Sequence, residues 1–222
     1  MADEPLIDWA WIADHLDDVV VRTVQHLQLT IVPVALGLGI SLLLAVLAVR
    51  RRGTYGPVTL VAGILYTIPS LAAFAILRPV FGLSLVTAVI PLTTYTILIL
   101  FRNSVAGLDA VPPDVIEASE GMGYTRRQRL LRVELPLAVP LIIAGLRLAT
   151  VTTIGLATVA SILGDAFGGL GQFITEGLQT FFPTKIYLGA ALSVGLAIVA
   201  DLAFVRLERR LTPWARARAE AR

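Results

Sequence analysis

Few side chains in this 222-residue sequence are of a type that does chemistry unaided. Cysteine is absent, which removes disulfides, thiolate nucleophiles and Cys-ligated zinc, and His15 and His26 are the only imidazoles. Among the 18 Lys and Arg residues a single one is lysine, Lys185, preceded by Phe181-Phe182-Pro183-Thr184 and followed by Ile186. A phosphate-cradling Walker A loop needs its lysine directly after a glycine-rich turn, so ATP hydrolysis is not expected in this chain. No catalytic residue, cofactor site or metal site is assigned. What remains are charges in unusual surroundings. Arg147 and Asp201 lie inside long apolar runs, where an unpaired charge is costly. Two arrangements meet that cost: a salt bridge between them, or backbone carbonyls around Arg147 and a watery interface at Asp201. Neither residue is expected to be a substrate ligand. The densest collection of charge is the segment 102–134, where 33 residues hold five basic and five acidic side chains, more than a plain turn between helices uses.

The elements that position these residues must suit a low-dielectric solvent. The chain is 56% apolar and 15% charged, against roughly 25% charged in ordinary soluble domains, and its mean hydropathy is +0.81. A chain this short cannot hide so much apolar surface in its own core, which leaves the bilayer. A crossing helix needs about 20 apolar residues. Uncharged runs of that length occupy 27–49, 58–77 and 83–101; 135–163 contains only Arg147 and 186–205 only Asp201. Pro33, Pro69 and Pro91 are expected to kink or interrupt the first three locally. The expectation is an all-α integral membrane protein with five spans, its transmembrane domain covering 27–205. An acidic segment 1–26 precedes it and a basic tail 206–222 follows.

Five spans put the termini on opposite sides, and basic residues mark the side. Fourteen of them lie in the links 50–57 and 102–134 and the tail from Val205, against Arg22, Arg78 and Lys185 elsewhere outside the spans. This places the C-terminus in the cytoplasm and the N-terminus outside, in a multi-pass protein of the cell membrane. Residues 1–21 hold six acidic and no basic side chains, the opposite of a signal peptide, so no cleaved leader is expected. Trp9 and Trp11 suit a segment lying on the membrane surface. The spacings Gly37 to Ser41 and Ala191 to Gly195 suit helix packing. No internal repeat is visible, and the odd number of spans argues against a secondary transporter built from two equal inverted halves.

The segment 102–134 is expected to carry structure of its own. Pro112-Pro113-Asp114 reads as a helix start and Gly121 with Gly123 as a stop, giving about two turns from Pro113 to Glu120 with Val115, Ile116 and Ser119 on one face. Thr125-Arg126-Arg127-Gln128 has capping-box spacing, so a second helix begins at Arg126 and runs toward Pro136. A short helix fixed at both ends by spans is a rigid knob suited to transmitting a push. A simple structural re-entry is the other reading.

Glu117-Ala118-Ser119, three residues, Gly123, nine residues and then Val133-Glu134-Leu135-Pro136 resembles the EAA signature of ABC importer permeases, with Ser119 in place of Ala and Val133 in place of Ile. The resemblance extends to Tyr66-Thr67-Ile68-Pro69-Ser70-Leu71, to the stretch 102–107, to Gly145-Leu146-Arg147-Leu148-Ala149-Thr150, and to Gly168-Gly169-Leu170-Gly171. It is most similar to permeases for osmoprotectants: glycine betaine, carnitine, choline or proline. That resemblance implies a five-helix type I importer core and a partner ATPase dimer holding ATP and Mg. It also implies a second permease subunit, identical or paralogous, and an extracytoplasmic substrate-binding protein; no nucleic acid is expected. Carried over by motif, Glu117, Ala118, Ser119, Gly121, Gly123 and Pro136 form the segment that couples to the ATPase. Arg126, Arg127 and Arg129 read as positive-inside anchors ahead of direct ATPase contacts. Quaternary ammonium groups are held by aromatic faces, which singles out Tyr66, Phe74 and Tyr95 as pathway candidates, against ordinary packing. Phe167, Phe173, Phe181 and Phe182 in the outer link suit a gate or docking surface, or equally interfacial anchoring. The signature reports on the ATPase and not on the cargo, so methionine or another small polar solute is the second reading. A scaffold or ATP-independent channel is a third, of a different class.

Overall fold

The structure is a computed structural model that describes residues 6–161 and 167–213, and the described residues contain helices and no strand. The helices are α1 (Trp9–Asp14), α2 (Leu16–Arg50), α3 (Tyr55–Thr67), α4 (Ser70–Phe81), α5 (Leu85–Asp109), α6 (Pro113–Gly121), α7 (Arg126–Arg129), α8 (Leu135–Ala160), α9 (Gly171–Thr180) and α10 (Pro183–Leu211). A single π-helical turn, Leu130–Glu134, joins α7 to α8 without a break. The boundary expected at residue 26 falls inside α2, whose 35 residues span about 52 Å at ~1.5 Å per residue. That exceeds the ~30 Å hydrocarbon layer. Likewise α5 continues to Asp109 and the third of the four long helices starts at Arg126, so the non-helical links around α6 are shorter than 102–134 implied.

The three prolines behave differently. Pro33 and Pro91 sit within uninterrupted helices, whereas the expected span 58–77 is a pair, α3 and α4, bent by 89°. The residue before a proline is pushed out of the α region, and Ile68 is extended at φ −64°, ψ 125°. The freed Ile68 carbonyl is not left bare: the Tyr95 hydroxyl on α5 donates to it at 2.6 Å. A tertiary donor therefore makes this break tolerable at membrane depth.

α5 is the central helix, packed on α2 and α8. Gly37 permits the α2 seam, since a Cβ there would collide with the Thr96 hydroxyl. One turn on, the Ser41 hydroxyl donates to the Ile97 carbonyl at 3.2 Å. The other spacing behaves differently, for Ala191 is exposed and a Cβ on Gly195 would meet open space. Two apolar clusters fill the bundle. Ala45, Ala48, Phe101, Val105, Leu108 and Ala138 pack at the end that carries α6, the loop end. Leu29, Phe74, Ala88, Leu92, Ala157, Ala160 and Phe167 pack toward the opposite, far end. α10 lies outermost against α8 and α9, with Val194, Ile198 and Val199 more than half exposed. Such a face suits lipid or another membrane subunit.

Candidate functional site

The knob at the loop end is built by local rules. Pro113 occupies the first turn of α6, where its missing N–H is harmless, and Asp114 faces the positive end of the helix dipole. The helix ends in a Schellman motif: Tyr124 N donates to the Ser119 carbonyl at 3.1 Å and Gly123 N to the Glu120 carbonyl at 2.9 Å. Gly123 takes φ 80°, which a side chain would resist. Thr125 and Gln128 then form the capping box, with Thr125 N donating to Gln128 Oε1 at 2.9 Å.

The motif residues divide into presenting and shaping groups. Glu117, Ala118 and Met122 are exposed, and among the described residues nothing hydrogen-bonds to or pairs with Glu117. Ser119, expected among the coupling residues, is buried and its hydroxyl donates back to the Ile116 carbonyl at 2.6 Å. Gly121 is the last helical residue, exposed with open space around it, and Pro136 is half-buried in the first turn of α8. Arg129 is the residue that motif reading missed. It binds Glu134 at 2.6 Å and also Glu120, so one guanidinium ties the end of α6 to the π-turn that starts the long helix. The sequence signal was an arginine between two glutamates across a glycine corner, and simple charge counting reads such a residue as a membrane anchor.

Within the bundle, the charges of the apolar runs find one another. Arg147 Nε and Nη2 donate to the two carboxylate oxygens of Asp201 at 2.8 and 3.1 Å, and Glu208 lies 4.0 Å from Arg147. This fork-to-carboxylate geometry joins α8 to α10. The pathway aromatics separate. Phe74 is fully buried, 6.4 Å from Phe167, and offers no open ring face within this chain, as its packing reading expects. Tyr95 is buried, with its hydroxyl spent on Ile68 and its ring edge-on to Tyr66 at 5.8 Å. Tyr66 alone of the three stays exposed.

The far end is knotted by the N-terminal segment. Asp8 caps α1 through Trp11 N at 3.0 Å, and its own N–H donates to Thr184 Oγ1 at 2.9 Å. Trp11 is not a free interfacial anchor: it stacks on His15 at 4.1 Å and meets Phe173 and Phe182 edge-on, with Lys185 Nζ 5.2 Å from its ring. Trp9 does remain exposed. Glu176 binds Arg22 at 2.7 Å and Lys185 at 2.8 Å. Burial raises its carboxyl, but the hydrogen bonds and charges of those two cations prevail and hold it below its ordinary range. Gln25 and His26 accept from the N–H groups of Gly169 and Leu170. Of the four outer phenylalanines, Phe167 and Phe173 are buried and Phe182 packs on Trp11, which leaves Phe181 as the exposed one, at φ 53°. Residues 164–166 of the outer link, Asp3 and Glu4, and the tail beyond residue 213 lie outside the described residues.

The family of binding-protein-dependent transport system inner membrane components matches residues 37–213. The choline transport system permease protein of Bacillus subtilis is 36% identical over 196 residues, covering 88% of this chain and 89% of that one. The osmoprotectant import permease protein of Salmonella typhimurium is 38% identical over 196 residues, covering 86% of this chain and 90% of its own. Among solved structures, an inward-facing MetNI methionine ABC transporter chain superposes with a TM-score of 0.76 at 26% identity, covering 87% of this chain and 95% of that one. A chain of an amino acid ABC transporter reaches 0.73 at 19% identity, a likeness of fold. The all-helical bundle with its α6 knob, and matches that run nearly end to end, make this chain a member of that family, a membrane permease subunit of an ABC importer.

Proposed function

We propose that this permease passes osmoprotectants of the quaternary-ammonium class, glycine betaine, carnitine or choline, with proline as a related cargo. The supporting observation is the set of relatives named for choline, carnitine and glycine betaine, 36–38% identical over 196 residues. The methionine transporter chain, at 26% identity, supports the shared machine more than a shared cargo.

The loop end faces the cytoplasm and the N-terminus lies outside, as the weight of arginine at that end supports. There α6 sits in the cleft of a partner ATPase, which binds ATP and Mg. Glu117 and Ala118 make the contact, while Ser119, Gly121, Gly123 and Pro136 shape the segment that presents them. A second permease subunit, identical or paralogous, completes the pathway, and a substrate-binding protein delivers cargo at the far end. Closure of the two ATPases on ATP draws the α6 helices together and turns the pathway outward; hydrolysis reverses the motion. Arg129 makes α6 move with α8 instead of flexing at Gly123. Tyr66 is the aromatic with an available face for a quaternary ammonium group.

The deciding experiment is ATP-dependent uptake of labelled glycine betaine by cells lacking other osmolyte uptake, expressing the transport genes with and without this chain. Uptake that requires the chain and is competed by choline or carnitine is the expected result. Competition by methionine alone would overturn the cargo assignment.

A further inference from the structure

Among the described residues, three of the unpaired arginines at the loop end share one cavity. Arg50 closes α2, Arg51 follows it and Arg126 opens α7; all three are exposed, and among the described residues none makes a side-chain hydrogen bond or ion pair. They line one cavity of about 520 Å³ together with Val49, Glu120, Arg129 and Glu134. Both carboxylates in that lining are already held by Arg129. The cavity therefore keeps a positive excess, with unspent N–H donors supplied from α2 on one side and from the α7 corner on the other.

We propose that this cleft is a phosphate-binding site, taken by the headgroup of an anionic phospholipid or by a free phosphate group. Guanidinium forks fit phosphate oxygens bidentately, and an anion met from two walls satisfies donors that no carboxylate among the described residues reaches. Depth favours the lipid source. Arg50 and Arg51 directly follow the uncharged run 27–49, which places them at headgroup level with Val49 at the apolar floor. An occupant links the end of α2 to the corner that Arg129 clamps, and so restrains the base of α6. The site stands on the cavity and its unpaired arginines, and does not depend on the cargo.

Native mass spectrometry of the full chain in detergent, titrated with phosphatidylglycerol or phosphatidylcholine, tests it. The cavity variant is Arg50→Gln/Arg51→Gln/Arg126→Gln, which removes no side-chain hydrogen bond or ion pair among the described residues. The control, Arg127→Gln/Arg132→Gln/Arg209→Gln, removes equal charge outside the cavity. Retention of phosphatidylglycerol over phosphatidylcholine by about tenfold in wild type and control, and lost in the cavity variant, is the expected result. A second arm follows inorganic phosphate by phosphorus NMR line broadening. Broadening that the cavity variant alone abolishes, without any lipid preference, assigns the same site to soluble phosphate. Cavity and control variants that behave alike in both arms overturn the proposal, as they would if carboxylates of a protein partner fill the cleft.

Discussion

At the scale of single residues, the segment proposed to couple to the ATPase separates exposed side chains from side chains that hold the corner. Glu117 is exposed and unpaired within the described residues, so Glu117→Arg is expected to change stability by no more than about 0.5 kcal/mol. Labelled-solute uptake, by contrast, should fall to background with membrane insertion unchanged. Normal uptake by the inserted variant removes Glu117 from the coupling contact. Gly123→Val acts through the backbone: a β-branched side chain at φ 80° costs about 1–2 kcal/mol and displaces the corner. Arg129→Ala leaves the motif intact but frees the end of α6 from α8. ATP hydrolysis by the assembled complex should then persist while uptake drops, an uncoupling measured by the ratio of the two rates. A proportional fall in both rates would make Arg129 a stability residue only.

At the scale of elements, two junctions decide the shape. The break between α3 and α4 rests on the Tyr95 hydroxyl. Tyr95→Phe leaves the Ile68 carbonyl without its donor, and the expected loss is about 1–3 kcal/mol by thermal unfolding in detergent. An unchanged melting temperature would mean that water or a neighbouring helix replaces the bond. The second junction is the knot of α2, α9 and α10 around Glu176. Its carboxyl is held below the ordinary 4.5 by Lys185 and Arg22 against the effect of burial. A depressed folded value contributes stability that is present above the ordinary value and lost as pH falls through the folded one. Melting temperature should therefore decline below about pH 4.5, and Glu176→Gln should flatten that decline. An equal decline in the variant transfers the effect to another carboxylate.

At the scale of the molecule, α10 is the helix with most to lose, because little of it is buried by its neighbours. In lipid the hydrophobic effect does not press helices together, so polar pairs and close packing must hold an outer helix. The Arg147–Asp201 fork performs that task at the middle of α8 and the later half of α10. Asp201→Asn and Arg147→Gln should each loosen α10, read as faster proteolysis of the C-terminal helix in detergent. The charge-swapped double variant, Arg147→Asp/Asp201→Arg, should recover part of the protection. Failure of the swap together with mild single variants would mean that packing on α8 and α9 carries α10 without the fork.

What the sequence determined by itself was what composition and short spacing can encode. A mean hydropathy of +0.81 requires a bilayer, uncharged runs mark the long helices, and the Pro113 start, the Gly123 stop and the Thr125 capping box are local interactions complete within a few residues. The motif proposed for coupling was legible for the same reason, since all its residues but Pro136, which lies in the first turn of α8, sit on one short helix and its corner. Only the tertiary structure decided which prolines break a helix, because the answer at the Ile68–Pro69 break lies in Tyr95, 27 residues after Ile68. It decided that Phe74 is core and that Trp11 ties the N-terminus to a corner more than 160 residues later. It also turned Arg129 from an anchor into a clamp. Those outcomes depend on which groups meet across helices, and periodicity within one helix carries no information about the partner that fills its face.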